Sequence, residues 1–155
     1  MAAKTVATEN LTQQYVSFIL DKEEYGIDIL KVQEIIRFES LTRIPKSPPF
    51  IEGVLNLRGK VVPVMDLRTR FGLPKGERDR KTRIIVVNVN GKEMGLIVDE
   101  VSEVIQIDSD QVSPLPPMGA SISAEYIRGM ARIEDRLMIL LDVERILSSE
   151  ELAAL

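Results

Sequence analysis

The chain repeats itself, and no other feature constrains its fold as strongly. Phe50 to Leu67 lines up with Tyr126 to Val143 at an offset of 76, which sets Gly53 on Gly129, Leu57 on Ile133, Val61 on Leu137 and Asp66 on Asp142. Upstream, Glu24-Tyr25-Gly26-Ile27 lines up with Glu93-Met94-Gly95-Leu96 at an offset of 69, and that register sets Val32 on Val101, Glu34 on Glu103 and Ile36 on Ile105. Matched Gly, Glu and Asp positions separate this from coincidence between apolar strands. The 155 residues are therefore read as a tandem of two similar units, with seven extra residues in the second. A unit of about 60 residues buries too little surface to be comfortable alone, so the two are predicted to share apolar surface.

Within each unit the signals are those of short strands and tight turns. Gln14 to Leu20 reads as a strand with Val16, Phe18 and Leu20 on one face, and Tyr15 and Ile19 suggest partial cover on the other. Asp21-Lys22-Glu23 turns the chain into Glu24 to Ile27, where Gly26 marks a bulge or a close approach. Asp28 is read as the cap of one helical turn, with an extended stretch to Phe38 and a Pro-rich loop after it. Gly53 to Leu67 is a hairpin turning at Arg58-Gly59-Lys60, and Pro63 places its strand at an edge or bulge there. Asp66 caps a short helix, Leu67 to Phe71, that Gly72 ends. In the second unit Asn90-Gly91 joins two apolar runs, a strong hairpin signal. Asp99 is expected to cap another turn, with Val101, Val104 and Ile107 returning to the core; Ser113 to Ser123 is a loop. Ile127 to Leu141 is the second hairpin, and Asp142 caps the terminal helix. Ser148 with Glu151 then forms a capping box that Leu147 and Leu152 staple.

The expected fold class is all-β: two small five-stranded, SH3-like β-barrel subdomains with short C-terminal helices, because short strands close into barrels to hide their edges. Residues 1–13 are expected to form a tail. Subdomain one spans about 14–74, subdomain two about 82–141, with strands free to cross, and the C-terminal helices fill 142–155. Seven Lys or Arg fall between Arg68 and Arg83, a stretch read as a solvated linker and helix face, with an anionic-ligand patch as the rival reading.

Chemistry is sparse. Zero His removes Ser-His-Asp and Cys-His activation together with His-based zinc sites, and zero Cys removes disulfides and fits the cytoplasm. There is no Gly-rich phosphate loop, no metal-spaced ligand cluster and no G-x-S-x-G elbow. No cofactor is expected. A net charge of −4 argues against nucleic acid as a partner, and no apolar run is long enough for a membrane span. Carboxylates are abundant, so an acid–base enzyme is the catalytic rival, set against ordinary surface Asp and Glu.

Function shows where the units differ. Arg58 falls on Glu134 and Gly59 on Asp135, one turn cationic and the other anionic. The runs Glu24 to Ile35, Phe50 to Gly59 and Val62 to Arg68 resemble the CheW chemotaxis coupling proteins, above all in Asn-Leu-Arg-Gly followed by Val-Pro-Val-Met-Asp-Leu. The resemblance covers about Gln14 to Leu152. It implies a cytoplasmic adaptor without catalysis, bridging the cytoplasmic tip of methyl-accepting chemoreceptors to the regulatory domain of the histidine kinase CheA, or serving a related non-motility pathway. Such domains also occur in CheA and CheV, and the length favours the stand-alone coupling protein. The resemblance assigns Val32, Glu34, Arg58 and Val104 to a receptor-facing groove or its support. Ile29, Leu41, Ile44 and Met118 are assigned to kinase-facing surfaces, the last three as apolar groups on loops.

Overall fold

A computed structural model describes residues 12–114 and 124–154. Among the described residues eleven strands form two sheets. The first, in the order β8-β1-β2-β11-β10-β9, contains β1 (Thr12–Leu20), β2 (Glu23–Asp28), β8 (Glu100–Asp108), β9 (Val112–Ser113), β10 (Ile127–Ile133) and β11 (Arg136–Leu141). The second, in the order β3-β6-β7-β5-β4, contains β3 (Val32–Arg37), β4 (Gly53–Leu57), β5 (Lys60–Asp66), β6 (Arg83–Val89) and β7 (Lys92–Val98). Two helices of four and five residues, Leu67–Arg70 and Ser149–Ala153, complete it. The all-β reading with two subdomains holds.

The sheets do not follow the repeat. In the repeat registers β1 and β2 are the counterparts of β6 and β7, yet each hairpin lies in the sheet of the other unit. The parallel pairs show the exchange: β2 runs beside β11 (Gly26 opposite Leu140), and β7 beside β5 (Gly95 opposite Val64). The chain changes sheet twice. After β2, Asp28 accepts a hydrogen bond from the Leu30 amide and caps a single 3-10 turn, Ile29–Lys31, which carries the chain into β3. After β7 it crosses back at Asp99. The second sheet is thus one continuous segment, 32–98, and the first is closed from both ends of the chain.

Three apolar clusters result from this arrangement. Leu55, Val64, Ile84, Val86 and Ile97 fill the second sheet's own interior; Tyr15, Ile107, Ala131, Met138 and Leu140 fill the first. The largest lies between the sheets and draws on Phe18, Tyr25 and Ile27 from one and Ile85, Val87, Met94 and Leu96 from the other. The shared surface expected from the repeat is this central cluster. An aromatic row runs through it from Phe18 to Tyr25 to Phe71 to Tyr126, with centroids 5.8, 5.8 and 5.7 Å apart. Replacing one fully buried ring of this row by Ala costs about 3–5 kcal/mol on general grounds.

Other local expectations resolve in detail. Gly26 sits in regular pairing, not in a bulge; a Cβ there would stand 2.8 Å from Met138 Cε, so close approach is the reason for glycine. Pro63 precedes the first β5–β7 pair, at Val64, so its missing N–H faces no ladder. The Ser148–Glu151 capping box forms. Asp99 caps nothing. Its carboxylate instead receives Arg68 Nε at 2.8 Å and Nη2 at 2.6 Å, with the Asp21 amide at 2.9 Å, tying the β1–β2 turn to the helix Leu67–Arg70. Burial pushes the Asp99 carboxyl up, and these donors override it, holding it below the ordinary range.

Tyr25 yields an alkaline prediction. Burial, with the nearby Glu23 and Asp21 carboxylates adding to it, pushes the phenol from 10.0 up to about 12. The folded-state value lies above the unfolded one, so this contribution is complete below pH 10 and is lost as pH climbs towards 12. The melting temperature should fall across that window, and Tyr25→Phe should fall less steeply over the same points. Parallel declines in both proteins would refute it.

Candidate functional site

The β4–β5 turn is a two-residue reversal with Arg58 at φ 53° and Gly59 at φ 85°. Asn56 supports it from below by accepting the Gly59 amide at 3.0 Å. The β6–β7 turn uses the same device: Asn88 accepts the Gly91 amide at 2.8 Å, with Asn90 and Gly91 at positive φ. Positive φ is uncommon for a residue with a side chain, and Arg58 occupies the place that Asn90 fills in its neighbour.

The guanidinium of Arg58 forks onto both oxygens of Glu34, with Nη2 on Oε1 and Nη1 on Oε2. This hydrogen-bonded carboxylate holds Arg58 above its ordinary pKa. The Arg58 side chain stays 72% exposed while that of Glu34 is 26% exposed. Beside them Lys60 meets Glu93 at 3.1 Å. The other half carries the counterpart: Arg136 reaches Glu103 at 3.1 Å and Glu24 at 3.7 Å, and Ser17 donates to Glu24. Two glutamates recur in both halves. One arginine serves both in the first sheet, where the second sheet uses Arg58 at the tip and Lys60 below it. Glu34 and Glu103 therefore share a structural role, and the exposed tip arginine has no counterpart.

The other residues that the resemblance assigns to a receptor-facing groove sit elsewhere. Val32, on β3, is half-buried against the central cluster. Val104, expected in the core, is 49% exposed. It lies on the edge strand β8 opposite Val16, a central-cluster residue, and directly opposed residues share a face. Its repeat counterpart Ile35 lies on β3 opposite Ile85, also of the central cluster, and is 39% exposed. Val104 and Ile35 thus stay partly uncovered because each lies on an edge strand. Glu34 lies opposite Val86, on the other face of the second sheet. The structure joins Glu34 to Arg58, packs Val32 on the central cluster and leaves Val104 exposed on β8 of the other sheet.

Of the residues expected on kinase-facing surfaces, Ile29 packs half-buried on the central cluster, and Leu41 packs on the second sheet's interior. Leu41 Cβ lies 2.8 Å from where a side chain on Gly53 would begin, which is why that position is glycine. Ile44 is 45% exposed, and Met118 lies outside the described residues. Sequence reasoning missed Leu30, 83% exposed at the first crossing, and the matched pair Val61 and Leu137, 68% and 52% exposed. The repeat register already pairs Val61 with Leu137, but agreement between units does not mean burial: both occupy outward positions.

No group of three potential ligands fit to hold a metal occurs among the described residues, and no helix among them is long and apolar enough to cross a membrane. What the arrangement offers is surface: a stiff cationic tip, exposed apolar groups on edge strands and paired charge networks. A family model described as CheW-like domain matches residues 14–151. The chain is 43% identical over 148 residues to the chemotaxis protein CheW of Klebsiella aerogenes, covering 96% of this chain and 89% of that one. It is 34% identical over 138 residues to the Bacillus subtilis chemotaxis protein CheW, covering 89% and 88%. The crystal structure of the scaffolding protein TtCheW from Thermoanaerobacter tengcongensis superposes with a TM-score of 0.83 at 40% identity, covering 91% of this chain and 96% of that one.

Proposed function

The chain belongs to the CheW-like family, and from that premise we propose that it is a non-catalytic cytoplasmic adaptor of chemotaxis, coupling the cytoplasmic tips of chemoreceptors to the histidine kinase CheA. The observation that carries the reading is the Arg58 tip. It is exposed, held on a rigid hairpin, and absent from the other half of a repeat that otherwise reproduces the network around it. A guanidinium presents five donors in a fixed fork, suited to the carboxylates and carbonyls of a helical hairpin. Val104 adds exposed apolar surface on the edge strand β8, with Val32 half-buried on β3. Co-purification with a receptor cytoplasmic fragment and with the regulatory domain of CheA tests the proposal, and binding to neither would end it.

Ile29, Leu41, Ile44 and Met118 remain the proposed kinase side, and two of them now separate. Ile44→Asp should weaken kinase binding and shift the melting temperature by no more than about 2 °C, since exposed apolar groups mark partner sites and cost little to change. Leu41→Asp should lower the melting temperature by several degrees, because it puts a charge against the second sheet's interior cluster. Equal melting shifts in the two variants would contradict this assignment.

A further inference from the structure

The charge of this acidic protein is unevenly placed. Residues 32–98, which form the whole second sheet and its connections, hold thirteen Lys or Arg against seven Asp or Glu; the rest of the chain holds seven against seventeen. Most arginines are neutralised locally. Arg58, Arg68, Arg70, Arg78, Arg128, Arg136 and Arg145 each meet a carboxylate. Arg37, Arg43, Arg80 and Arg83 form no ion pair among the described residues, and neither does Arg132 on β10; the first four lie together at one end of the second sheet.

Arg37, Arg80 and Arg83 line a depression of about 570 Å³ together with Phe38 and Thr82. Its wall is set in advance. Arg83 Nη1 donates to the carbonyls of Arg80 at 2.7 Å and Thr82 at 3.0 Å, and the Phe38 amide donates to the Thr82 carbonyl at 3.2 Å. Thr82 Oγ1 accepts the Asp79 amide at 2.9 Å. The guanidinium of Arg78 lies 4.8 Å from the centre of the Phe38 ring, which lines the depression. Asp79, another residue of the lining, spends its carboxylate on the Lys81 amide at 2.8 Å.

We propose that this arginine-lined depression docks an acidic, extended segment of a protein partner. Carboxylates would meet Arg37, Arg80 and Arg83, and their methylene stems would lie on Phe38. The patch is short, and a strongly negative half adjoins it, which disfavours a long polyanion or an anionic membrane that must track a broad surface. A few carboxylates on a flexible backbone meet neither obstacle. The proposal does not depend on the adaptor reading, because it is tested on the isolated protein.

Fluorescein-labelled hexaglutamate, titrated with the protein and followed by anisotropy, should bind saturably at low salt and weaken as salt rises. The variant Arg37→Glu/Arg80→Glu should lose at least about tenfold in affinity, and the milder Arg80→Ala about threefold. Lys22→Glu/Arg132→Glu makes the same change of net charge on the first sheet and should leave binding within about twofold. Absence of saturable binding, or equal losses in the two double variants, would overturn the proposal. Tighter binding of single-stranded DNA or of phosphatidylserine vesicles through the same arginines would also overturn it. Self-association abolished by Arg37→Glu/Arg80→Glu would assign the patch to a second copy instead and overturn it too.

Discussion

Expressed alone, residues 14–74 are expected to stay unfolded, although they hold one complete repeat unit. In the intact chain β4 and β5 depend on β7, β3 depends on β6, and β1 and β2 belong to the other sheet. The fragment keeps the pairings β1–β2 and β4–β5, and isolated hairpins are marginal in water. The obvious escape is for β1–β2 to take the place of its counterpart β6–β7. Side chains oppose this: the register that maps one hairpin on the other puts Tyr15, Ser17 and Asp28 where Ile84, Val86 and Ile97 fill the second interior. Ser17 and Asp28 would put a hydroxyl and a carboxylate into an interior that is apolar throughout in the intact chain. The control is complementation. Residues 1–76 mixed with 77–155 should regain one cooperative melt and dispersed amide resonances. Dispersion from 14–74 alone would show that the hairpins are interchangeable.

Much of this was legible in the sequence because strand, turn and cap signals are local. Asn90-Gly91, Arg58-Gly59 and the capping residues Asp28, Asp66, Asp142 and Ser148 all act within a few positions, and each forms as expected. The exchange of hairpins was not legible, because counterpart strands have the same pattern and a pattern does not say which sheet a strand joins. Its traces were polar residues at interior positions, Ser17 and Asp28, visible only against the other copy. Asp99 misled for a related reason: its partner Arg68 lies 31 positions away, and a lone Asp after a strand looks like a cap. Val104 misled because apolar spacing ignores the edge. Arg70 offered no signal, yet it stacks on Tyr126 at 5.4 Å and Phe50 at 5.9 Å while donating to Glu151 at 2.8 Å, pinning the C-terminal helix.

Arg58→Ala is expected to abolish receptor-dependent kinase activation while moving the melting temperature by no more than about 2 °C. The stability half rests on exposure: the side chain is 72% exposed, its one carboxylate partner is a surface pair, and such pairs contribute little to folding. The functional half has two physical routes. The guanidinium can touch the receptor directly, or it can act by keeping Glu34 forked and the β3 edge in place. The charge exchange Arg58→Glu/Glu34→Arg distinguishes them, because it restores the pair while moving the cation from the turn tip to the strand. Recovery of activation in the double variant would make the pair a positioning device, with Glu34→Gln equally damaging. Continued loss, with Glu34→Gln milder than Arg58→Ala, would place the cation at the tip itself in the contact. Normal activation by Arg58→Ala with a normal melt would make the residue a bystander. A melt lowered along with activation would make it structural, and the proposed receptor role would then pass to Val32 and Val104.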